Sequence, residues 1–159
     1  MTNYTYKCPG CKKEFGAKEI ESNFIYLCPS CGKAEKNKPL EGVLTVKYDY
    51  QELKKKLSRK DFLHLTPGKF WLYPDLWPVN FKNFRDDLLI KLVLPSDQLL
   101  KYIINKKEFL ILDDTRNPTL SYKDRASSLV TLKALQLGIT EIAAASTGNA
   151  GSSLAGICA

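Results

Sequence analysis

The sequence contains little histidine and no long apolar run. Its single histidine, His64, lies in the segment FLHLTPG, which is typical of a turn, so we interpret it as a structural residue. No apolar run reaches the length of a membrane-spanning helix, and the polar amino terminus lacks the apolar segment of a secretory signal peptide. We therefore expect a soluble, cytoplasmic protein with no membrane partner.

The sequence has five cysteines, and four of them form two C-x-x-C pairs. Cys8 and Cys11 are separated from Cys28 and Cys31 by sixteen residues, a spacing typical of a tetrahedral zinc site. Four thiolates would fill the coordination sphere, so the zinc would be structural. Two disulfides are the alternative. Without a secretory signal we expect a reducing compartment, which disfavours disulfides. We predict a zinc ribbon with its linker over residues 1–39.

Arginine is rare as well, which bears on nucleic-acid binding. The net charge of +7 comes from 20 lysines and 4 arginines against the acidic residues, and arginine is the usual reader of guanine edges. The lysines concentrate around 33–38 and 54–60, where they are typical of solvated helix faces. We expect no nucleic-acid partner, although a non-enzymatic zinc-ribbon protein that binds nucleic acid or another protein is the rival interpretation.

The second half of the chain has the pattern of an α/β fold. The short apolar run 109–112 (FLIL) predicts a buried strand, and a helix should follow and end at Gly138. Residues 141–145 (EIAAA) predict a second strand, and 150–159 should begin another helix. This series favours parallel strands, which would place both strand-to-helix loops at the same edge of the sheet.

Other elements follow from apolar spacing. The first of these two helices should bury one apolar face, formed by Ala126, Leu129, Val130, Ala134 and Leu137. The fifth cysteine, Cys158, is expected to be a small buried residue on the last helix. Upstream, the sequence predicts a strand over 42–50, a charged helix over 51–60 and an amphipathic stretch over 97–105.

Two polar segments occupy the predicted strand-to-helix loops. Lys123 stands where a helix begins, and the positive end of that helix favours the neutral amine that a Schiff base with an aldehyde cofactor requires. Residues 146–149 (STGN) open the next helix with hydroxyls, an amide and backbone N–H groups, which suit a carboxylate. A solvated lysine and an ordinary helix cap are the alternative interpretation.

The strings NPTLSYKDR (117–125) and STGNAG (146–151) together resemble the motifs of threonine synthases. These are fold-type II pyridoxal 5'-phosphate (PLP) enzymes, similar to tryptophan synthase β, whose NPTGSFKDR motif carries the Schiff-base lysine. The segments FWLYPDLWPV (70–79) and FLILDD (109–114) are similar to further stretches of the family. The resemblance implies that residues 40–159 are the amino-terminal part of a PLP-dependent catalytic domain with a parallel sheet, behind the zinc ribbon that many threonine synthases carry.

The resemblance also implies roles for individual residues. Lys123 would be the catalytic lysine that binds PLP and moves a proton, and Asn149 would bind the 3'-hydroxyl of the cofactor ring. Ser146, Thr147 and Asn149 would hold the carboxylate of a phosphorylated amino-acid substrate. The full-length enzyme would convert O-phospho-L-homoserine and water to L-threonine and phosphate by β,γ-elimination and replacement. Related PLP enzymes such as cysteate synthase share these features and are the alternative.

Besides the mild change of phenylalanine to Tyr122, the chain departs from the family pattern at three points. Leu120 stands where the family has glycine, and residues 87–93 (DLLIKLV) stand where it has a GxTPL segment. The sequence also ends at Ala159, before any phosphate-binding glycine loop or partner for the pyridine nitrogen. We therefore expect an amino-terminal portion that is inactive alone, which a homodimer partner or a missing carboxy-terminal half would complete.

Overall fold

The computed structural model describes residues 4–58, 74–91 and 99–159. The chain forms two compact units, Met1–Ser58 and Arg59–Ala159. In the three described ranges, none of the helices is both long and apolar enough to cross a membrane. The predictions that lie outside the described residues, wholly or in part, are those for His64 and for the segments 51–60, 70–79, 87–93 and 97–105.

The first unit is built on a three-stranded antiparallel sheet. Strand β1 (Tyr4–Lys7) lies between β2 (Glu14–Gly16) and β3 (Thr45–Tyr48). Tyr6 pairs in register with Phe15 of β2 and with Val46 of β3. The first C-x-x-C pair lies in the connection between β1 and β2, so the sheet holds that pair in place.

Two short helices complete this unit. Helix α1 (Ala17–Ser22) follows β2 directly, and α2 (Tyr50–Lys56) follows β3. The Asp49 carboxylate caps α2 by accepting hydrogen bonds of 3.0 Å from the backbone N–H groups of Gln51 and Glu52. The buried apolar side chains of these elements are Tyr4, Ala17, Ile20 and Leu53.

The predicted strand over 42–50 is therefore present as the shorter β3, and the predicted charged helix over 51–60 is present as α2, which begins one residue earlier and ends at Lys56. Because β3 pairs with β1, the compact unit continues to Ser58. This is beyond residue 39, where the sequence predicted the boundary between two domains. The assignment of a ribbon domain over 1–39 and a catalytic domain over 40–159 stays a prediction.

The second unit contains three α-helices and one hairpin in its described part. These are α3 (Asp86–Lys91), β4 (Leu99–Ile104), β5 (Lys107–Leu112), α4 (Lys123–Gln136) and α5 (Asn149–Cys158). Short 3₁₀ turns lie at Pro74–Leu76, Phe81–Asn83 and Asp114–Arg116. Buried Val79, Leu89 and Leu132 form the core, and partly buried Phe81, Phe84, Leu129 and Ile157 pack against it.

The expectation of a buried parallel strand at 109–112 is wrong. The strand exists as β5, but it pairs antiparallel with β4, and Phe109, Leu110 and Ile111 are 45%, 60% and 42% exposed. Asn105 and Lys106 form the intervening two-residue turn with φ of 50° and 63°, as in type I' hairpins. A tight turn brings the adjacent segment into place as the partner, so the hairpin forms locally.

The second predicted strand, at 141–145, does not form either. These residues are irregular and exposed. Among the described residues, the sheets are the antiparallel β2–β1–β3 sheet and the β4–β5 hairpin. A strand needs a neighbour to satisfy its backbone N–H and C=O groups, and 141–145 have none in these sheets. The described chain is thus α/β with small antiparallel sheets, not the predicted parallel one.

Helix α4 begins and ends as the sequence indicates, but it buries a different face. Gly138 follows its end with φ 72°, and the Ile139 N–H donates a 2.9 Å hydrogen bond to the Ala134 carbonyl, a pairing typical of a Schellman cap. Of the predicted apolar face, Ala134 is buried, whereas Ala126 and Val130 are exposed. The buried residues of α4 are Asp124, Ser127, Ser128, Leu132 and Ala134.

Asp124 and Ser127 are buried on α4 because Ser153 of α5 packs against them through hydrogen bonds, whereas the buried Ser128 Oγ has no hydrogen-bond partner among the described residues. Ser127 Oγ lies 2.7 Å from Ser153 Oγ of α5, and Ser153 is itself fully buried. Cys158 lies on α5 as predicted, but it is exposed rather than buried. The apolar pattern alone therefore assigned the contact face of α4 incorrectly.

Candidate active site and candidate metal centre

The four cysteines of the two C-x-x-C pairs meet at one point. Their Sγ atoms all lie within 4.8 Å of one another, with Cys8 and Cys31 at 3.5 Å and Cys11 and Cys28 at 3.6 Å. A tetrahedral ion with metal–sulfur bonds of about 2.3 Å would hold its sulfurs about 3.8 Å apart. The cysteines are free thiols rather than disulfides, so the cluster fits a single metal ion.

Glycines allow the second cysteine pair to turn tightly. A Cβ at Gly32 would lie 2.7 Å from the Cys28 carbonyl oxygen, far closer than nonbonded atoms approach. Gly42 has φ +70°, and a Cβ there would lie 3.0 Å from the Gly32 Cα. The Gly42 carbonyl accepts a 2.8 Å hydrogen bond from the Cys28 N–H. These contacts require glycine at both positions, and the hydrogen bond holds Cys28 against the segment that contains Gly42.

The surroundings of the four thiols shift their pKa values in different directions, so that some of them ionise more readily than others. A hydrogen bond from the Cys11 backbone lowers the pKa of the Cys8 thiol below its usual value. Burial opposes ionisation of Cys28, but hydrogen bonds from the Ser30 and Cys31 backbone outweigh it and lower its pKa. Hydrogen bonds with the other three thiols raise the pKa of Cys31. Four thiolates so close together repel one another, so a cation is needed for all four to ionise.

Lys123, the predicted catalytic lysine, is the first residue of α4. Its backbone N–H donates a 3.2 Å hydrogen bond to the hydroxyl oxygen of Ser121, which precedes the N-cap residue Tyr122. Its Nζ lies 4.6 Å from the centroid of the Tyr122 ring, within the range of a cation–π contact. The side chain is partly exposed, which leaves the amine accessible to a ligand.

The turn that leads into Lys123 is held by a buried amide. Asn117 is 1% exposed, and its Nδ2 donates hydrogen bonds to the Ser121 carbonyl at 3.1 Å and to Asp114 Oδ1 at 3.2 Å. Arg125 Nε donates to the same Asp114 oxygen at 2.9 Å. The sequence motif thus fixes its own backbone conformation before the helix begins.

Leu120, which stands where the family has glycine, adopts the conformation that glycine favours. Its φ is 55°, and its N–H donates a 2.8 Å hydrogen bond to the Asn117 carbonyl. The side chain is 77% exposed. The turn therefore places a leucine in the left-handed region, at the cost of backbone strain.

The STGN loop caps α5 with its first residue. Ser146 Oγ accepts hydrogen bonds from the Gly148 N–H at 3.3 Å and the Gly151 N–H at 3.1 Å. Thr147 and Asn149 are exposed. Their hydroxyl and amide groups, together with backbone N–H groups at a helix terminus, suit an anionic ligand. The Ser146 hydroxyl oxygen, in contrast, already accepts hydrogen bonds from the backbone of this segment.

The two helices run in the same direction. Asp124 and Ser127, near the start of α4, contact Ser153 of α5, whereas Thr131 contacts Cys158 one turn further along each helix. Lys123 and the STGN loop therefore lie at the same end of the helix pair. Helix packing, rather than the edge of a parallel sheet, brings them to that end.

The donor set at this end fits PLP. An amine can bind the cofactor aldehyde, and two helix amino termini with the same orientation favour anionic groups such as a phosphate or carboxylate. Sequence reasoning missed the buried residues that support this arrangement, Asn117 and Ser153. Both are small polar residues, and only their burial reveals their role.

Comparisons with known proteins relate this chain to PLP-dependent enzymes. Residues 93–159 match the family described as pyridoxal-phosphate dependent enzyme. The chain is 31% identical over 119 residues to a threonine synthase of Methanocaldococcus jannaschii, covering 72% of this chain and 28% of the relative. It is 34% identical over 119 residues to one of Methanosarcina acetivorans, covering 72% and 27%. The chain thus spans just over a quarter of these relatives. No solved structure matches it significantly.

Proposed function

We propose, from the similarity of this chain to threonine synthases among the pyridoxal-phosphate dependent enzymes, that it carries the cofactor lysine and the substrate loop of a threonine synthase. The full-length enzyme would convert O-phospho-L-homoserine and water to L-threonine and phosphate. Its fold would be the fold-type II α/β architecture that the family implies.

One observation carries this proposal. Lys123 begins α4, the STGN loop begins α5, and the two helices run in the same direction, joined by the hydrogen bond between Asp124 and Ser153. The amine and the anion-binding loop are therefore at one end of a single helix pair. If Lys123 and the STGN loop had unrelated roles, nothing would require them to lie at the same end of the helix pair.

The chain's own residues would have distinct tasks. When bound, PLP supplies an electron sink that stabilises carbanions next to the substrate amino group. The Lys123 amine would hold the cofactor and then move protons at the substrate carbon atoms. Thr147, Asn149 and backbone N–H groups at the start of α5 would hold the substrate carboxylate, with Ser146 shaping that loop. Asn149 would also orient the cofactor ring through its 3'-hydroxyl.

The cysteine cluster would hold one structural zinc ion. Four thiolates with no open position suit a role in folding rather than catalysis. Reduced thiols of this kind fit a cytoplasmic location, which stays a prediction.

The test uses this chain alone and the same chain extended to the length of the curated relatives. The extended protein should absorb visible light with PLP and release phosphate from O-phospho-L-homoserine, and Lys123→Ala should abolish both. The 159-residue chain alone should bind PLP weakly and release no phosphate. Phosphate release from O-phosphoserine in the presence of sulfite, and not from O-phospho-L-homoserine, would favour a relative such as cysteate synthase. Retained absorbance in Lys123→Ala would contradict the lysine assignment.

A further inference from the structure

The residue after the proposed cofactor lysine carries a fully buried carboxylate. Asp124 is 0% exposed. Its Oδ2 accepts a 2.8 Å hydrogen bond from the Thr119 N–H, and its Oδ1 accepts from the Thr119 hydroxyl and, at 2.6 Å, from the Ser153 hydroxyl. A buried carboxylate without such donors would be strongly unfavourable, so these bonds account for its burial. They join three segments: the turn before α4, α4 itself and α5.

A second contact ties the same turn to α5. A Cβ at Gly156 would lie 2.6 Å from Thr119 Cγ2, so the threonine methyl packs directly on the helix backbone. Thr119 is thus held on one side by the Asp124 carboxylate and on the other by Gly156. Ser127 adds a 2.7 Å contact between its hydroxyl and that of Ser153. The turn, α4 and α5 are therefore linked at several adjacent points.

We propose that Asp124 is a positioning residue, which through Ser153 and Thr119 fixes the direction of Lys123 relative to the STGN loop. The inference rests on the proposed function, because it concerns the same cofactor lysine. It assigns a task to three residues, Asp124, Ser153 and Thr119, whose side chains would touch neither cofactor nor substrate.

Helix geometry explains how a neighbouring side chain can do this. Successive residues of an α-helix project about 100° apart, so the inward direction of Asp124 determines the direction of Lys123. Ser153 follows Asn149 by four residues, one turn into α5. The hydrogen bond between Asp124 and Ser153 therefore fixes the rotation of α4 and the position of the first turn of α5 at once.

The test measures where PLP reacts in the cofactor-free, 159-residue chain. The protein is mixed with PLP, reduced with borohydride and digested, and mass spectrometry compares the label on Lys123 with that on Lys101 of β4. Four variants are compared with the wild type: Ser153→Ala, its exposed neighbour Ser152→Ala as matched control, Asp124→Ala and Asp124→Asn. Circular dichroism verifies the fold of each, and amide hydrogen exchange reports on residues 119–124.

The expected pattern separates geometry from general destabilisation. Wild type and Ser152→Ala should label Lys123 preferentially. Ser153→Ala and Asp124→Ala should lower the Lys123 to Lys101 ratio at least about tenfold, because each removes a buried hydrogen bond to a charged group, and exchange at 119–124 should be faster. Asp124→Asn should keep the Lys123 to Lys101 ratio near that of the wild type. Its amide oxygen can accept a hydrogen bond from the Thr119 N–H, and its amide N–H groups can donate to the hydroxyl oxygens of Thr119 and Ser153.

Two different results would overturn the inference. If the wild type shows no preference for Lys123, nothing in this chain directs that lysine, and the positioning role fails, whereas the lysine assignment is decided separately by Lys123→Ala in the extended protein. If the wild type shows the preference but Ser153→Ala and Asp124→Ala keep it, the proposed function stands and the positioning role of Asp124 is wrong. Ser153→Ala is the milder change, so it decides the matter if Asp124→Ala does not fold.

Discussion

Gly156 of α5 lies directly against the methyl group of Thr119, where a Cβ on residue 156 would be only 2.6 Å from Thr119 Cγ2. The turn that precedes the proposed cofactor lysine therefore rests on the backbone of α5. This contact depends on one residue without a side chain, and it can be tested by substitution.

We expect Gly156→Ala to destabilise the protein, because the added methyl group forces Thr119 or α5 to move. Overpacking of this kind costs about 1–3 kcal/mol, which exceeds the gain of about 0.5–1 kcal/mol from replacing a helical glycine. Chemical denaturation measures the difference. Thr119→Ser removes the clashing methyl but keeps the hydroxyl that binds Asp124, so the double variant should recover most of the lost stability. Equal losses with and without Thr119→Ser would contradict the contact.

Leu120→Gly should stabilise the protein. Leu120 has φ 55° and a largely exposed side chain, so glycine removes backbone strain and loses little packing. The net gain should be about 0.5–1 kcal/mol, because relief of about 1–2 kcal/mol is partly offset by the flexibility of glycine in the unfolded state. Leu120→Ala is the control, since it removes the side chain but keeps the strain. A gain in Leu120→Ala equal to that in Leu120→Gly would attribute the effect to the side chain instead.

Purified protein should contain about one zinc ion per chain, measured by elemental analysis, because four thiolates complete one tetrahedral site. Cys11→Ser should lose the metal and destabilise the unit Met1–Ser58. Cys158→Ser should keep it, because Cys158 lies outside the cluster. A chelator should likewise remove the metal and destabilise this unit. Reduced protein without any bound metal would refute the prediction.

Alkaline pH should destabilise the sheet of the first unit through Tyr48. Burial, followed by the nearby Tyr50, raises the pKa of Tyr48 from 10.0 to about 12. Its contribution to stability is full below pH 10. Between pH 10 and about 12 the unfolded state releases the proton while the folded state keeps it, so stability falls as pH rises.

Tyr48→Phe should therefore lose less stability than the wild type over this range, as measured by denaturant unfolding at several pH values. Tyr26→Phe is the matched control, because Tyr26 is 61% exposed. The same alkaline loss in wild type and Tyr48→Phe would show that another group is responsible.

Nucleic-acid binding provides a test of the rival interpretation. We expect weak affinity for RNA and DNA at physiological salt, because the positive charge comes mostly from lysine. Binding by fluorescence anisotropy at rising salt would measure it. Tight binding that falls steeply with salt would instead indicate contacts with backbone phosphates and favour the nucleic-acid interpretation.

The sequence by itself determined the features that depend on residues a few positions apart. The two C-x-x-C pairs predicted the cysteine cluster, Lys123 and Gly138 marked the ends of α4, and STGN marked the start of α5. Helix capping and the spacing within each C-x-x-C pair depend on near neighbours in the chain, which explains why these predictions succeeded. The resemblance to threonine synthases was likewise carried by short motifs, and the comparisons confirm it.

Only the tertiary structure decided what each element packs against. β5 pairs with β4 through a two-residue turn instead of joining a parallel sheet, and 141–145 remain without a strand partner in the described sheets. The face of α4 was also assigned wrongly, because apolar spacing cannot reveal that Ser153 of a second helix offers a hydroxyl to buried Asp124. Burial and strand pairing depend on distant neighbours, and Asp124 is buried because other parts of the chain supply its hydrogen bonds.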